Sequence, residues 1–408
     1  MRILHMTTEF PPVVFGGLGT AVGGLVNASA RADMSVAVLL VGGVLSIAEG
    51  YGRPAGAKPE STTTPHGVVS PTGVTFFQIS PFDHVEAAVR VAREWGADLL
   101  HLHTAWVWPF AEAILNRTGI PLVYTIHSVD RAEYEIGQEL GHILEHCQEQ
   151  GIAIDRAERL IALTQNETDL LVHYYPDSAE RIRVVGNGID DSPTAVHAAR
   201  TPKQSQSPMV LYTGRLVERK GIRDLLAAVP YVMERAPSTR FVLAGGPPPL
   251  SGEEVARQWL PPECEPYRDR IHFTGWLGPD ELEEWYCAAD VQVVPSRYEP
   301  FGMVVLEGML YGLPIVAAAL GGPMRILKHG RTGLLYPPRD VSGLGDAILK
   351  LVTDEQLRLR IGAEAAREVR RNWLWSRLVQ KMRNVYTEAL GWHYPAFAQS
   401  LTMQTIST

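Results

Sequence analysis

Residues 291–318 read VQVVPSRYEPFGMVVLEGMLYGLPIVAA, in which three apolar runs are separated by short turns. The first run, Val291–Val294, and the third, Ile315–Ala318, have the length and the β-branched content of buried strands. The middle run, Phe301–Tyr311, is predicted to be a helix, and a proline and a glycine suit its first turn. Two strands that flank one helix form a βαβ unit, so the stretch predicts a parallel sheet.

The same alternation extends from this stretch in both directions. Further strands are predicted at Arg2–Met6, Val36–Leu40, Val74–Gln78, Asp98–His103, Leu122–Ile126, Leu160–Thr164, Ile182–Val185, Met209–Tyr212, Phe241–Ala244 and Ile271–Thr274. Helices are predicted at Leu18–Arg31, His84–Trp95, Val107–Arg117, Gln138–Arg156, Ile222–Arg235, Pro279–Cys287, Val341–Leu351 and Asp354–Arg371. Strands that alternate with helices along a whole chain are typical of α/β proteins with doubly wound sheets.

The alternation is interrupted once, at residues 191–208, which are polar and proline-rich and are predicted to be a linker. A chain of 408 residues therefore predicts two Rossmann-like domains, residues 1–190 and 209–372, that face a central cleft. Ligands of such sheets bind at the carboxyl ends of the strands. The gap Gly42–Gly73 is rich in glycine, proline and threonine and is predicted to be a long mobile loop near a site.

Composition excludes several classes of protein. The net charge of −8 argues against a nucleic-acid partner, which would require a basic stripe. The sequence contains no window of 18 uninterrupted apolar residues, so no transmembrane helix is predicted. The N-terminal residues MRILHMTTEF have the wrong order for a signal peptide. The three cysteines, Cys147, Cys264 and Cys287, are widely spaced and predict neither disulfides nor a metal site. A cytoplasmic location is the simplest interpretation.

The segment from Ser296 to Glu307 carries the clearest chemical pattern. Glu299 directly precedes the predicted helix, whose N-terminus offers free N–H groups and a positive dipole end to a pyrophosphate. Glu307 lies two turns into the helix on about the same side and can reach another part of the same ligand. The simpler alternative is that Glu299 caps the helix and Glu307 is a solvated surface residue.

A second polar turn, GRLVERKG at residues 214–221, connects a predicted strand to the helix Ile222–Arg235. Arg215 and Lys220 lie five residues apart in this turn and can contact two phosphates from one side. The alternative is a polar loop whose cations are only solvated.

Three features of the first domain are weaker signals. Gly16 and Gly17 form a turn that lets backbone approach a ligand, although such turns often serve only packing. His101 and His103 share one face of a strand, but no third ligand is evident, so no metal is predicted. His127 follows another strand, at its carboxyl end.

The segment 273–323 resembles the E-x7-E motif and surroundings of retaining glycosyltransferases with the GT-B fold, family 4 type. That family includes glycogen synthases and sucrose-phosphate synthases. By this resemblance Glu299 contacts the donor sugar, Glu307 contacts the ribose hydroxyls, and Arg215 and Lys220 bind the leaving diphosphate. The residues that the resemblance assigns to the donor are Gly16, Gly17, Arg215, Lys220, Glu299, Phe301, Gly302, Met303, Val304 and Glu307.

The resemblance also concerns the first domain and the C-terminus. His127 is similar to the histidine of the family that faces the donor sugar, which makes it a catalytic residue together with Arg215, Lys220 and Glu299. The first domain is the acceptor side, where His103 and Arg131 are the predicted acceptor contacts. Residues 373–392 resemble the last helix of the family, which crosses back to the first domain.

The implied activity is the retaining transfer of a hexose, glucose by family preference, from UDP- or ADP-glucose to a carbohydrate or other hydroxyl acceptor. No cofactor and no metal are expected, and the partners are the nucleotide sugar and the acceptor. One alternative is transfer to fructose 6-phosphate, as in sucrose-phosphate synthases. Alternatives of another class are a nucleotide-sugar epimerase or hydrolase and a non-catalytic nucleotide-sugar binder.

The chain departs from the family pattern at three positions. Val14 stands where glycogen synthases have a phosphate-binding lysine, Arg325 stands where a glutamate is common, and Gly308 replaces the usual alanine after Glu307. The first departure argues against glycogen synthase proper, the second is expected to alter hydrogen bonding near the ligands, and the third leaves more room.

Overall fold

The computed structural model describes residues 1–11, 14, 16–42, 64–135, 143–200 and 207–393. The chain divides into two units. The first unit contains Met1–Gly188 together with the C-terminal segment that begins at Trp375, and the second contains Ile189–Leu374. Among the described residues, no helix combines the length and the apolar character that a membrane span requires.

The first unit has an eight-stranded sheet within the described residues. Its strands are β1 (Arg2–Thr7), β2 (Ser35–Val41), β3 (Thr64–Val69), β4 (Thr75–Ile79), β5 (Leu99–Leu102), β6 (Leu122–Ile126), β7 (Arg159–Ala162) and β8 (Ile182–Val184). Its helices up to residue 188 are α1 (Gly17–Arg31), α2 (Glu86–Trp95), α3 (Trp108–Thr118), α4 (Asp130–Glu135), α5 (Ile143–Arg156) and α6 (Gln165–Tyr174).

The strand order of this sheet is β3-β4-β2-β1-β5-β6-β7-β8, and every neighbouring pair is parallel except β3 with β4. The strands β1, β5, β6 and β7 are almost completely buried, which explains why they read as continuous apolar runs and do not alternate. The chain leaves β1 toward β2 and later returns to its other side at β5. The order therefore reverses between β1 and β5, which is where doubly wound sheets bind ligands.

The second unit repeats this architecture with six parallel strands within the described residues. Its strands are β9 (Met209–Thr213), β10 (Arg240–Ala244), β11 (Ile271–Gly275), β12 (Val291–Val294), β13 (Ile315–Ala318) and β14 (Gly333–Tyr336). Its helices are α7 (Pro193–Arg200), α8 (Ile222–Arg235), α9 (Gly252–Trp259), α10 (Pro279–Ala288), α11 (Met303–Leu310), α12 (Gly321–Ile326), α13 (Val341–Thr353) and α14 (Glu355–Asn372). The order β11-β10-β9-β12-β13-β14 reverses between β9 and β12.

The last helix, α15 (Trp375–His393), belongs to the first unit. Trp375 is 1% exposed, and its indole lies so close to Gly24 of α1 that a Cβ there would overlap it. Further along the helix, the Tyr386 hydroxyl lies 2.9 Å from His101 Nδ1, and Glu388 pairs with Arg159 at 3.1 Å. Both apolar and polar contacts therefore bind α15 to the core of the first unit.

The parallel α/β domains predicted from the alternating pattern are confirmed. The predicted linker 191–208 was wrong in part, because helix α7 begins at Pro193 and packs against α11 and α14. Among the residues of α7 whose burial the structure describes, Pro193 to Ala199, only Ala195 is fully buried, so they form no apolar stripe that a periodicity analysis would detect. The predicted loop Gly42–Gly73 likewise contains β3 at its end, and residues 43–63 lie outside the described residues. Elements α4, α6, α9, α12 and β14 were not predicted either.

Candidate functional site

In the second unit, two loops lie side by side where the strand order reverses. The loop 214–221 follows β9, and the loop 295–302 follows β12. The backbone amides of Arg297 and Tyr298 both donate to the carbonyl of Arg219, at 2.8 and 3.3 Å. Gly221 begins α8 at a φ of +69°, and a Cβ at this position would also overlap the carbonyl of Pro295. A glycine is therefore required for the two loops to come this close.

This contact brings Lys220 and Glu299 together, although they are 79 residues apart in sequence. Lys220 Nζ donates to Glu299 Oε2 over 2.6 Å, and Ser296 Oγ donates to the same oxygen over 3.0 Å. The side chains of Lys220 and Glu299 expose only 19% and 8% of their surfaces. Burial alone would raise the pKa of Glu299, but the charge and hydrogen bond of Lys220, the charge of Arg219 and the hydrogen bond of Ser296 together lower that pKa below its ordinary value. Burial lowers the pKa of Lys220, against the opposing effect of Glu299.

The simpler interpretation of Glu299 as a helix cap was wrong. The N-cap of α11 is Gly302, in a left-handed conformation with a φ of +96°, and no side chain caps the helix. Met303 and Val304 form the first turn of α11, where helix geometry leaves N–H groups without intrahelical partners. The Glu299 carboxylate thus lies next to a free helix N-terminus and is bonded to Lys220 instead.

Arg215 is exposed at the start of the same loop, and its positive charge lowers the pKa of Lys220, after the larger effect of burial. Arg219, which was not predicted from the sequence, also has a positive charge that lowers the pKa values of Glu299 and Lys220. Arg297 is differently placed, because its guanidinium binds both oxygens of Asp224 at 2.6 and 3.0 Å. Arg219 and Lys220 thus place positive charge next to one carboxylate, and Arg215 adds a positive charge that acts on Lys220. Arg297 is committed to a structural pair with Asp224.

Glu307 lies on α11, half-buried, and its Oε2 accepts a 2.6 Å hydrogen bond from the hydroxyl of Tyr286 on α10. Burial raises the pKa of Glu307, and the hydrogen bond from Tyr286 and the charge of Lys220 oppose that rise. The interpretation of Glu307 as a solvated surface residue is therefore wrong as well. Tyr286 and Ser296, like Arg219, were not predicted from the sequence, and of Tyr286 and Ser296 only Ser296, three residues before Glu299, gave any signal.

The start of helix α12 packs against the backbone of the loop 295–302. The amide of Gly322, on α12, donates to the carbonyl of Glu299 over 2.9 Å, and a Cβ at Gly322 would overlap the carbonyl of Phe301. Phe301 is 3% exposed and meets the edge of Trp373 at 5.7 Å. Phe301 is therefore a packing residue whose backbone, not its ring, lines the site. Arg325 is exposed further along α12.

In the first unit, Gly16 and Gly17 lie at the start of α1 and are both exposed. Gly16 has extended backbone, and a Cβ there would meet no described atom within 4 Å. Packing therefore does not require this glycine. Val14, which replaces the lysine of the family pattern, lies against Gly19, where a Cβ would overlap it.

Four histidines form a buried cluster on neighbouring strands of the first unit. His103 lies 3.0 Å from His5 and 3.3 Å from His127 through its two ring nitrogens. His101 lies 2.7 Å from the Thr125 hydroxyl and 2.9 Å from Tyr386. Burial lowers the pKa of His5 to about 3 and that of His127 to about 4, and it also lowers the pKa values of His101 and His103. All four rings are therefore neutral at pH 7.

Sequence analysis found no third metal ligand beside His101 and His103, but the structure supplies one. His5 pairs with His101 in the register of β1 and β5, and nitrogens of these three rings lie within 4.8 Å of one another. Every ring nitrogen of His101 and His103 is already within hydrogen-bond distance of a protein atom. Hydrogen bonds therefore account for His101 and His103 without an ion, whereas the buried His5 Nε2 has no hydrogen-bond partner among the described residues. The lack of a metal requirement stays a prediction.

The two predicted acceptor contacts lie in different surroundings. His103 is 2% exposed, and both of its ring nitrogens face other histidines, so no ring nitrogen is left for an acceptor. It lines a small cavity together with Thr125, Asn187 and His127, and His127 is half-buried at the end of β6. Arg131 is exposed on α4, with its guanidinium 5.7 Å from the ring of Tyr175. The structure thus brings His103 to His127 but does not place Arg131 in contact with either.

Two family descriptions match the chain. Residues 15–192 match Glycosyltransferase Family 4, and residues 207–354 match Glycosyl transferases group 1. The second match contains both loops of the site and Glu307.

Among curated proteins, glycogen synthase from Mycobacterium tuberculosis is 28% identical over 95% of this chain and 95% of its own length. D-inositol 3-phosphate glycosyltransferase from Corynebacterium efficiens is 31% identical over 72% of this chain and 71% of its own length.

Solved structures resemble the chain over nearly its whole length. Sucrose-phosphate synthase from Thermosynechococcus elongatus has a TM-score of 0.74 at 22% identity and covers 94% of this chain and 98% of its own. Anabaena Alr3699/HepE, in complex with UDP-glucose, has a TM-score of 0.67 at 21% identity and covers 95% of this chain and 99% of its own. At these identities the likeness concerns the fold.

Proposed function

Because the chain belongs to the family-4 type of glycosyltransferases and has their GT-B fold, we propose that it transfers a hexose from a nucleoside diphosphate sugar to a hydroxyl acceptor. The observation that carries this proposal is the buried pair of Lys220 and Glu299, 2.6 Å apart and next to the free N-terminus of α11. A cation and helix amides suit a diphosphate, and a buried carboxylate suits the hydroxyls of a sugar.

In the proposed reaction, the acceptor oxygen bonds to C1 of the sugar while the bond from C1 to the diphosphate oxygen breaks. Lys220, Arg215 and the first amides of α11 stabilise the negative charge that appears on the leaving diphosphate. An oxygen of that diphosphate takes the proton of the acceptor hydroxyl, so no protein base is needed. Glu299 binds sugar hydroxyls as the ring gains positive character, and His127 is assigned to the donor sugar by resemblance to the family.

We expect the new bond to keep the α configuration of the donor, as in the retaining family that the E-x7-E motif resembles. The anomeric coupling in an NMR spectrum of the first product distinguishes the two stereochemical outcomes. A β-linked first product would exclude the front-face mechanism proposed above.

Glucose from UDP is the donor that we propose, with ADP as the alternative base. The likeness to a protein solved with UDP-glucose supports the first choice. The names of the relatives reported above indicate different acceptors. The acceptor is therefore proposed only as a sugar, a sugar phosphate or another hydroxyl compound, and fructose 6-phosphate is one candidate. A matrix of UDP- and ADP-glucose against glucose, fructose 6-phosphate and oligoglucans, read by nucleotide release, tests donor and acceptor together.

The same matrix separates the other classes of protein. A transferase releases nucleotide only when a suitable acceptor is present, whereas a hydrolase releases it from the donor alone. An epimerase converts the donor without releasing nucleotide, and a non-catalytic binder shows affinity for the nucleotide sugar without turnover. Nucleotide release that does not depend on any acceptor would contradict the proposal. A cytoplasmic location and independence from metals stay predictions, and activity in excess chelator tests the second.

A further inference from the structure

A row of hydrogen-bonded side chains lies behind Glu307 in the second unit. Gln292, on β12, lies 3.1 Å from the hydroxyl of Thr213 at the end of β9. Thr213 in turn lies 3.0 Å from the hydroxyl of Tyr286, which donates to Glu307 Oε2 over 2.6 Å. Gln292, Thr213 and Tyr286 expose 0%, 7% and 3% of their surfaces. A hydrogen bond lost from this row is therefore not easily replaced by solvent.

The charge of Glu307 sets the direction of every bond in this row. An ionised carboxylate only accepts, so the hydroxyl hydrogen of Tyr286 must point at Glu307. Thr213 must then donate its own hydrogen to Tyr286, which leaves its oxygen to accept from the next residue. Position 292 is therefore the place for a hydrogen-bond donor. The amide of Gln292 supplies one, whereas an aliphatic side chain or a carboxylate would not.

The same orientation explains the glycine that follows Glu307. With its Nε2 donating to Thr213, Gln292 directs its Oε1 at Gly308, where a Cβ would overlap that oxygen. Glycine inside a helix is destabilising relative to alanine, which is the residue expected here from the family pattern. Gln292 and Gly308 are therefore matched: the glycine provides the space that the amide needs.

We propose that Gln292, Thr213 and Tyr286 are positioning residues for Glu307. They hold one of its oxygens so that the other accepts from the ribose hydroxyls of the nucleotide, and Gly308 makes this arrangement possible. The inference rests on the proposed function, because it assumes that Glu307 meets the ribose of a nucleoside diphosphate. It assigns to three residues outside the two site loops a share in recognising the ribose.

Calorimetric titration with UDP and with its 2′,3′-dideoxy analogue tests this inference, with ADP and its analogue in parallel. The wild-type protein is expected to bind UDP about 10- to 100-fold more tightly than the dideoxy analogue, the range for a hydrogen bond to a charged group. Tyr286→Phe and Thr213→Val are expected to reduce this ratio at least about fivefold, while the affinity for the analogue changes little. Tyr311→Phe is the matched control, because Tyr311 stacks on Tyr286 at 5.2 Å but donates to Glu283.

Gly308→Ala and Gln292→Met test the other end of the row. Both are expected to lower the ratio as Tyr286→Phe does, and Gln292→Met provides the answer if Gly308→Ala fails to fold. A ratio that stays at the wild-type value in these variants overturns the inference, and so does an equal loss of affinity for both ligands, which would indicate a purely structural role. If the wild-type protein binds neither UDP nor ADP, the proposed function fails first, and the inference fails with it.

Discussion

At the scale of single residues, Lys220 and Glu299 are hydrogen-bonded to each other over 2.6 Å, and the ammonium and the carboxylate both keep hydrogen-bonding capacity for a ligand. The diphosphate is expected to attract Lys220, and the sugar hydroxyls are expected to bond to Glu299. Each residue therefore has a separate part of the donor to recognise, and variants of the two should give different results.

Lys220→Ala is expected to weaken UDP binding about 10- to 100-fold, because a charged hydrogen bond to the diphosphate is lost. Uridine has no phosphate, so its weaker binding should hardly change. The dissociation constants of both ligands, measured on the same preparations, provide the test, and Lys350→Ala, an exposed lysine on α13, is the control. Equal losses for UDP and uridine would indicate damage to the loop and would remove Lys220 from the phosphate site.

Glu299→Gln is expected to lower turnover about 100- to 1000-fold, the effect of removing one preorganised contact to the transition state. UDP affinity should stay the same or rise, because Lys220 loses a charged competitor for the phosphate. The melting temperature should change little, since glutamine still accepts a bond from Lys220. Glu284→Gln, an exposed change on α10, controls for the loss of a carboxylate. An active Glu299→Gln enzyme would contradict the assignment.

At the scale of elements, the strands could be predicted closely because burial on both faces makes each a short apolar run. The predicted bounds of β12, β13 and α8 are those of the structure. Apart from β14, a short buried strand that was not predicted, the predictions that failed were of elements with little apolar surface of their own. From Pro193 to Ala199, the part of α7 whose burial is described, one residue is fully buried. Helix α12 begins with two glycines whose backbone packs against the loop of Glu299.

The candidate site was predictable only as two separate loops. The spacing within each loop indicated Arg215, Lys220, Glu299 and Glu307, but no local pattern could show that Lys220 bonds to Glu299. That contact depends on the reversal of strand order between β9 and β12 and on the close approach of two backbones at Gly221. Tyr286 and Gln292 were missed for the same reason, because their partners come from other strands and helices.

Gly221→Ala is expected to separate the two loops. Its φ of +69° strains any other residue by about 1–2 kcal/mol, and the added Cβ would also overlap Pro295. Gly330→Ala is a matched control, since Gly330 has a φ of +74° and no described atom within 4 Å of the added carbon. Thermal unfolding and UDP titration of both variants are the measurements. Gly221→Ala should lose more stability than the control and also lose UDP affinity, and equal behaviour of the two would contradict the packing argument.

At the scale of the whole molecule, protonation of the histidine cluster is expected to make the stability of the fold depend on pH. The folded pKa values of His5, His101, His103 and His127 all lie below the unfolded value of 6.5, so the unfolded chain binds more protons between about pH 4 and 6.5. Stability from the neutral cluster is therefore fully present above pH 6.5 and is lost as the pH falls. Burial raises the pKa of Asp130 to about 7, so this carboxyl binds a proton in the folded state and opposes the loss of stability on acidification. The pKa of Glu307 is also raised, so Glu307 opposes that loss as well.

The histidines outnumber the opposing carboxyls, so acidification from pH 7 to pH 4.5 is expected to lower the midpoint of chemical unfolding. His5→Leu removes one of the four proton-binding side chains of the cluster, at a position that is completely buried. In this variant the loss of stability should be shallower by about 1.4 kcal/mol per pH unit near pH 5, the effect of one proton. His84→Gln, at an exposed position, should retain the wild-type slope. Because leucine also removes the bond to His103, His5→Leu will differ from the wild type at pH 7, but that offset does not affect the slope. Parallel pH profiles of His5→Leu and the wild type would show that the cluster does not control the acid stability of this protein.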